Sequence, residues 1–237
     1  MIETATIKSS LDFHEGEILF VDKPANWTSF DVVSRVRLTF NVKKVGHAGT
    51  LDPNATGLLI ICTGKKTKII DEFSGLEKEY VATIELGART PSFDSETEVI
   101  EHRPYSHLTE DEIRSALASF IGTQQQVAPM YSAVKHNGKP LYKYARKGRE
   151  IERKPREVTI SELEVTDIAL PLVTFRIVCS KGTYIRSVAD ECGAKLGCGA
   201  YLQSLRRTRI GTHHVNDALR IEELHTLESK ITNTSAG

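Results

Sequence analysis

No stretch of this chain approaches the ~20 apolar residues that a membrane-spanning helix needs, and its opening Met-Ile-Glu-Thr lacks the basic and apolar regions of a signal peptide. The sequence therefore predicts a cytoplasmic protein with no membrane partner. Cysteine is scarce: Cys62, Cys179, Cys192 and Cys198 contain no C-x-x-C pair. Cys62 and Cys179 sit in apolar runs, where cysteine behaves as a small hydrophobe, so the four read as reduced and structural. Zinc-ligand spacing is missing too, because His213 and His214 are adjacent and poorly placed to converge on one ion. Neither a G-x-G-x-x-G string nor a loop ending in Gly-Lys-Ser/Thr follows the glycine-rich segment near residue 50, which argues against a phosphate cradle. No metal and no cofactor are expected.

Net charge is also absent, with 31 Lys and Arg against 31 Asp and Glu. The distribution is uneven. From Asp71 to Glu112 there are twelve acidic residues against Lys78, Arg89 and Arg103, whereas Lys135 to Arg156 holds nine basic residues against Glu150 and Glu152, a net of +7. That basic stretch interleaves Tyr142 and Tyr144 with its cations, a composition suited to phosphate contacts and ring packing. It predicts an anchored segment with Lys143, Arg146 and Lys147 aimed at RNA; the competing reading is a solvated charge run.

The chain has 237 residues, 40% of them hydrophobic, enough for one large domain or two small ones. Glu17 to Val21 reads as a strand, and Thr28 or Ser29 caps a helix with Val32, Val33, Val36 and Phe40 on one side. Leu58 to Cys62 reads as a buried strand, followed by a helix from Thr63-Gly64 to Gly75. Lys65, Lys66 and Lys68 near that helix start oppose the macrodipole and hint at a nearby anion. Tyr80 to Leu86 alternates as a strand. Thr109 with Glu112 forms a capping box for a helix reaching Gly122, and Gln124 to Ala133 reads as irregular. Strands follow at Val158 to Ile168, with a bulge between Ile160 and Leu163, and at Leu172 to Cys179. A helix then carries Ile185, Val188, Ala189, Cys192 and Leu196 inward. Tyr184 and Arg186 fall off that stripe in its first turn, where an arginine calls for a carboxylate partner, with Asp52 the candidate. A short helix is expected between Asn216 and Lys230. The mixed order of strands and helices predicts an α+β fold.

The segment Gly46-His-Ala-Gly-Thr-Leu-Asp-Pro-Asn-Ala-Thr-Gly57 has neither helical nor strand period and reads as a tight loop feeding the buried strand. Gly46 and Gly49 can supply backbone conformations closed to other residues, and Pro53 restricts Asp52 to extended geometry. A single acid held in a fixed direction suits a nucleophile or base. Spacing alone leaves turn initiation by Asp-Pro equally open.

At these residues the sequence resembles the B-type tRNA pseudouridine synthases, a family that isomerises the uridine at position 55 in the T-arm of tRNA. The likeness continues through Asp22-Lys-Pro24, Trp27 to Val33, Lys78-Glu-Tyr80, Pro129-Met-Tyr-Ser-Ala133 and Gly197 to Arg207, covering Gly16 to Leu224. It implies a pseudouridine synthase fold with a mixed, largely antiparallel central sheet flanked by helices. It also implies that Asp52 is the catalytic residue, Tyr80 stacks against the reacting base, Lys68 lies in the active-site region and Leu205 packs in the cleft. Tyr184 and Arg186 complete the substrate pocket, and His47 contributes RNA contact or flipping. The expected organisation is an N-terminal extension at 1–15, a catalytic domain at 16–212 and a short helical tail at 213–237 without a full RNA-binding domain of the PUA type. The expected partner is the T-arm of tRNA, with no obligate protein partner. A guide-RNA-dependent synthase, a non-catalytic RNA-folding module and a generic phosphate-binding enzyme are the alternatives.

Overall fold

The computed structural model describes residues 11–234; most of the expected N-terminal extension lies outside them. The chain forms two compact units, one of residues 1–76 and 208–237 and the other of residues 77–207.

The first unit opens with β1 (Ile18–Lys23) and α1 (Ser29–Thr39). Thr28 caps α1 through a reciprocal box, its hydroxyl accepting from Asp31 N while the Asp31 carboxylate accepts from Thr28 N. Next come β2 (Val45–Ala48) and β3 (Thr56–Thr63). β3 pairs antiparallel with both β1 and β2, and it is buried on both faces. Leu59 and Ile61 join Val21, Val32, Val33 and Val36, whereas Leu58, Ile60 and Cys62 join Ala48, Ile210 and Val215. Two-sided burial explains the unbroken apolar run. The segment read as a helix from Gly64 begins instead as a 3₁₀ turn, Gly64–Ile69, and becomes helical only at α2 (Ile70–Gly75). Thr63 offers no cap there; its hydroxyl accepts from Glu17 N at 2.9 Å.

The second unit begins with β4 (Lys78–Leu86), then the short pair β5 (Ala88–Arg89) and β6 (Glu101–His102) and helix α3 (Glu110–Ala118), whose Thr109–Glu112 capping box forms as expected. α3 ends earlier than its apolar spacing suggests. Gly122 instead opens β7 (Gly122–Gln126), so part of the segment read as irregular is a strand. The polar Gly-Thr-Gln-Gln-Gln sequence has no alternation to announce it. A tight hairpin, β8 (Lys135–His136) and β9 (Lys139–Pro140), turns at Asn137-Gly138, both with positive φ. The single-turn α4 (Tyr142–Ala145) follows. β10 (Arg156–Ala169) and β11 (Leu172–Cys179) pair antiparallel, with a register shift at Ile160/Glu162 where the bulge was expected and another at Val165/Asp167. β11 also pairs with β4 and β10 with β7, both antiparallel. α5 (Ile185–Lys195) buries Ile185, Val188, Ala189 and Cys192, and β12 (Ala200–Ile210) returns the chain to the first unit at Thr208.

There the end of β12 pairs with β13 (His213–His214), β14 (Leu219–Arg220) lies parallel to β1, and α6 (Glu223–Thr234) closes the chain. Parallel β1–β14 pairing beside the antiparallel pairs described above makes the architecture α+β with mixed sheet, as the sequence predicts. Among the described residues no helix is long and apolar enough to cross a membrane.

Candidate active site

In the first unit the segment 46–57 is held at two points that flank Asp52. Before it, the buried Ser29 hydroxyl accepts from Leu51 N at 2.9 Å and lies 3.2 Å from Leu51 O. After it, Lys23 donates to Pro53 O at 3.1 Å and also to the carbonyls of Pro24 and Trp27, at 2.9 and 2.6 Å. Lys23 is fully buried, and a buried ammonium is tolerated only with such acceptors around it. Ala55 N then bonds to Asp52 O at 3.1 Å, closing a turn over Pro53-Asn54. A short acid between two anchored peptide units has little freedom, and its half-exposed position leaves it open to a reactant.

The approach to this turn differs from the expected loop. His47 sits in β2, paired opposite Ile61. Gly46 is required for space, not for backbone angle, since a Cβ there would meet Ile70 Cδ1 at 2.6 Å. Gly49, with φ of 77°, is the residue that turns the chain. Lys68 is exposed in the 3₁₀ turn. Of the neighbouring lysines, Lys65 pairs with Glu15, which supplies one anion of the kind inferred there.

In the second unit Arg186 is 2% exposed and held by polar groups from two segments. It donates to Ser92 O at 3.2 Å and Tyr131 O at 2.9 Å, and lies 3.3 Å from the Asp94 carboxylate. Asp94 is thus one carboxylate beside Arg186, and the sequence does not single it out. Its other oxygen accepts from Ser92 Oγ at 2.6 Å and Glu96 N at 2.9 Å, so a compact Ser-Phe-Asp-Ser-Glu turn presents the charge. The serine- and acid-rich composition of that loop was the one available signal.

Tyr184 immediately precedes α5, half-buried, with the guanidinium groups of Arg156 and Arg186 at 5.0 and 5.8 Å from its ring centroid. Tyr80, 9% exposed, lies on β4 opposite Ile177, and Lys78 is on the same face two residues earlier. Burial, reinforced by the Arg207 charge, pushes the Lys78 ammonium down to about 8. Leu205 is half-buried on β12. Arg186, Tyr184, Tyr80 and Leu205 thus belong to one unit, and His47, Asp52 and Lys68 to the other.

The basic stretch is anchored by Leu141, 1% exposed, and by Arg153, which donates to Ala128 O at 3.1 Å. Lys143, Arg146 and Lys147 are exposed. Arg146 lies over the Tyr142 ring and pairs with Glu96 at 2.9 Å.

Residues 37–185 match the family model for the N-terminal domain of TruB family pseudouridylate synthases, and residues 186–235 match that for the C-terminal domain of tRNA pseudouridylate synthase B. The chain is similar to curated proteins called tRNA pseudouridine synthase B. One from Chlorobium luteolum is 53% identical over 213 residues, covering 88% of this chain and 74% of the relative. Another, from Chloroherpeton thalassium, is 49% identical and covers 89% of each. Among solved structures it resembles a chain of a Cbf5-Nop10-Gar1 complex, at TM-score 0.71 and 30% identity over 90% of this chain and 54% of that one. It is also similar to a chain of an H/ACA ribonucleoprotein bound to a substrate RNA containing 2′-deoxyuridine, at TM-score 0.71 and 26% identity over 94% of this chain. The chain spans about half the length of these two solved chains, at 54% and 56%.

Proposed function

The chain belongs to the TruB family of pseudouridylate synthases and is a tRNA pseudouridine synthase, an isomerase; on that premise we propose that its substrate is the uridine at position 55 in the T-arm, and that Asp52 is its catalytic carboxylate. The observation that carries the assignment of Asp52 is the double anchoring of its neighbours, Leu51 by Ser29 and Pro53 by Lys23.

The reaction breaks the bond from sugar C1′ to N1, turns the base and joins C1′ to C5; C5 loses its proton and N1 gains one. No oxidant, metal or phosphate energy enters the balance. Asp52 attacks the sugar or the base ring, or moves a proton. The nucleotide must first leave its stack, at a cost of a few kcal/mol, and the rings of Tyr80 and Tyr184 with the Leu205 side chain receive the base. Arg186 supplies fixed positive charge to the pocket, oriented by Asp94. His47 and Lys68 contact RNA beside the catalytic turn, while Lys143, Arg146 and Lys147 hold the backbone phosphates. The proposed organisation keeps 1–15 as an extension, 16–212 as the catalytic part and 213–237 as a helical tail, working in the cytoplasm without cofactor or obligate protein partner.

A second reading, guide-RNA-dependent modification, draws on the likeness to chains found in Cbf5-Nop10-Gar1 and H/ACA assemblies. One experiment separates the readings. The purified chain is incubated alone with an unmodified tRNA transcript, and new pseudouridine is mapped. Modification confined to position 55 supports the proposal; turnover only after adding a guide RNA and partner proteins supports the second reading, and binding without turnover supports an RNA-folding module.

A further inference from the structure

Gln126, at the end of β7, is 3% exposed and spends its whole amide on one residue 58 positions away. Its Oε1 accepts from Tyr184 N at 2.7 Å and its Nε2 donates to Tyr184 O at 3.1 Å. Both backbone polar groups of Tyr184 are thereby engaged by a single side chain. The contact falls where α5 has no side-chain cap of its own, so the amide does the orienting work that a capping residue does elsewhere. Arg156, the cross-strand partner of Gln126 on β10, places its guanidinium over the Tyr184 ring. Two adjacent positions of one strand pair thus fix Tyr184, one through its backbone and one through its ring. Two residues further on, Arg186 reaches Asp94, Ser92 and Tyr131. A rotation of the Tyr184 peptide would move the ring and the start of the helix that carries this arginine together.

We propose that Gln126 is a positioning residue for the isomerisation: its buried amide fixes the Tyr184 backbone, and through it the base-stacking ring and the Arg186 guanidinium. The inference rests on the reading that Tyr184 and Arg186 face the uridine. A hydrophobic residue could fill the space, but only a group with one donor and one acceptor in a planar fork satisfies a peptide N–H and C=O at once.

Gln126→Glu and Gln126→Met separate this role from packing. In the Gln126→Glu variant an ionised carboxylate accepts from Tyr184 N–H but turns an oxygen on Tyr184 C=O, whereas the neutral acid restores the donor. Burial favours the neutral acid, and Arg156 and Arg186, the charged groups beside Tyr184, oppose it. Single-turnover pseudouridine formation with enzyme in excess is therefore followed from about pH 8 to about pH 5, with tRNA affinity measured alongside. Gln126→Glu should be about 10- to 100-fold slower than the parent chain at the alkaline end and converge on it as pH falls, because one orphaned buried partner regains its bond. Gln126→Met should stay slow throughout, and both should bind tRNA within about twofold of the parent. The proposal is overturned by a Gln126→Glu variant that keeps a constant ratio to the parent across the range, by full activity of Gln126→Met, or by losses confined to affinity. A parent chain that forms no pseudouridine would count against the proposed function instead.

Discussion

The Asp94 carboxylate grips Arg186 from a turn that is itself bonded shut: one oxygen lies 3.3 Å from the guanidinium, while the other accepts from Ser92 Oγ and Glu96 N. Both side chains are buried, at 6% and 2% exposure. Removing one member of a buried ion pair costs ~3–5 kcal/mol in comparable cases. Asp94→Asn keeps the shape of the turn and removes its charge. It should lower the melting temperature and slow single-turnover pseudouridine formation by about 100-fold, the consequence of a misoriented group in the pocket. A rate within twofold of the parent would show that Arg186 needs no such partner.

Lys23 ties the Asp52 turn to the end of β1 and the start of α1 through the carbonyls of Pro53, Pro24 and Trp27. Lys23→Met preserves the buried stem and strands those acceptors, so it should cost ~2–4 kcal/mol of stability, read as a lower urea midpoint. Activity should fall less than in Asp52→Asn, because the carboxylate remains. An unchanged midpoint would remove Lys23 from the account.

Neutralising Lys143, Arg146 and Lys147 together should weaken tRNA binding and flatten its dependence on salt, since each lost phosphate contact removes counterion release. In the free protein Arg146 is partnered by Glu96 at 2.9 Å. Glu96→Gln should therefore tighten binding a few-fold, on the order of one weak surface pair, and should do so only while Arg146 is present. An unchanged salt slope returns the stretch to a solvated face.

Alkaline pH should destabilise the fold. Burial pushes the Cys62 and Cys179 thiols up to about 11 and Cys192 up to about 12, and raises Cys198. These thiols stay neutral in the fold but ionise in the unfolded chain from about pH 9, so stability is intact below that pH and lost as pH rises towards 11. Lys78, lowered to about 8, acts in the opposite sense: its buried charge penalises the fold below that value and is relieved as pH rises towards its unfolded value. Four thiols outweigh one lysine. Urea midpoints at neutral and alkaline pH under reducing conditions should fall between about pH 9 and 11; a rise would mean that Lys78 dominates.

Local signals in the sequence carried over well into the structure. The cap at Thr28, the capping box at Thr109, the burial of β3 and the Ile160 bulge all follow from neighbours within a few residues. What escaped is decided at long range. Gln126 looks like one of three equivalent glutamines until β7 pairs with β10 and the last of them meets Tyr184. Asp94 looks like loop polarity until Arg186 arrives from 92 positions away. Lys23 ends a strand and Ser29 opens a helix in the sequence, and their bonds to Pro53 and Leu51 exist only once α1 and the Asp52 turn are folded together. Glycine and proline around Asp52 make its turn legible in the sequence, whereas the groups that anchor its neighbours are not.

The most direct measurement is pseudouridine formation by Asp52→Asn with enzyme in excess over an unmodified tRNA transcript, after mass spectrometry has excluded deamidation to aspartate. The substitution keeps the shape of the side chain and removes its charge, so the variant should fold, bind tRNA as tightly as the parent chain and form no pseudouridine at any time. Substantial turnover would show that another group performs the chemistry, and the assignment of the anchored turn would fall with it.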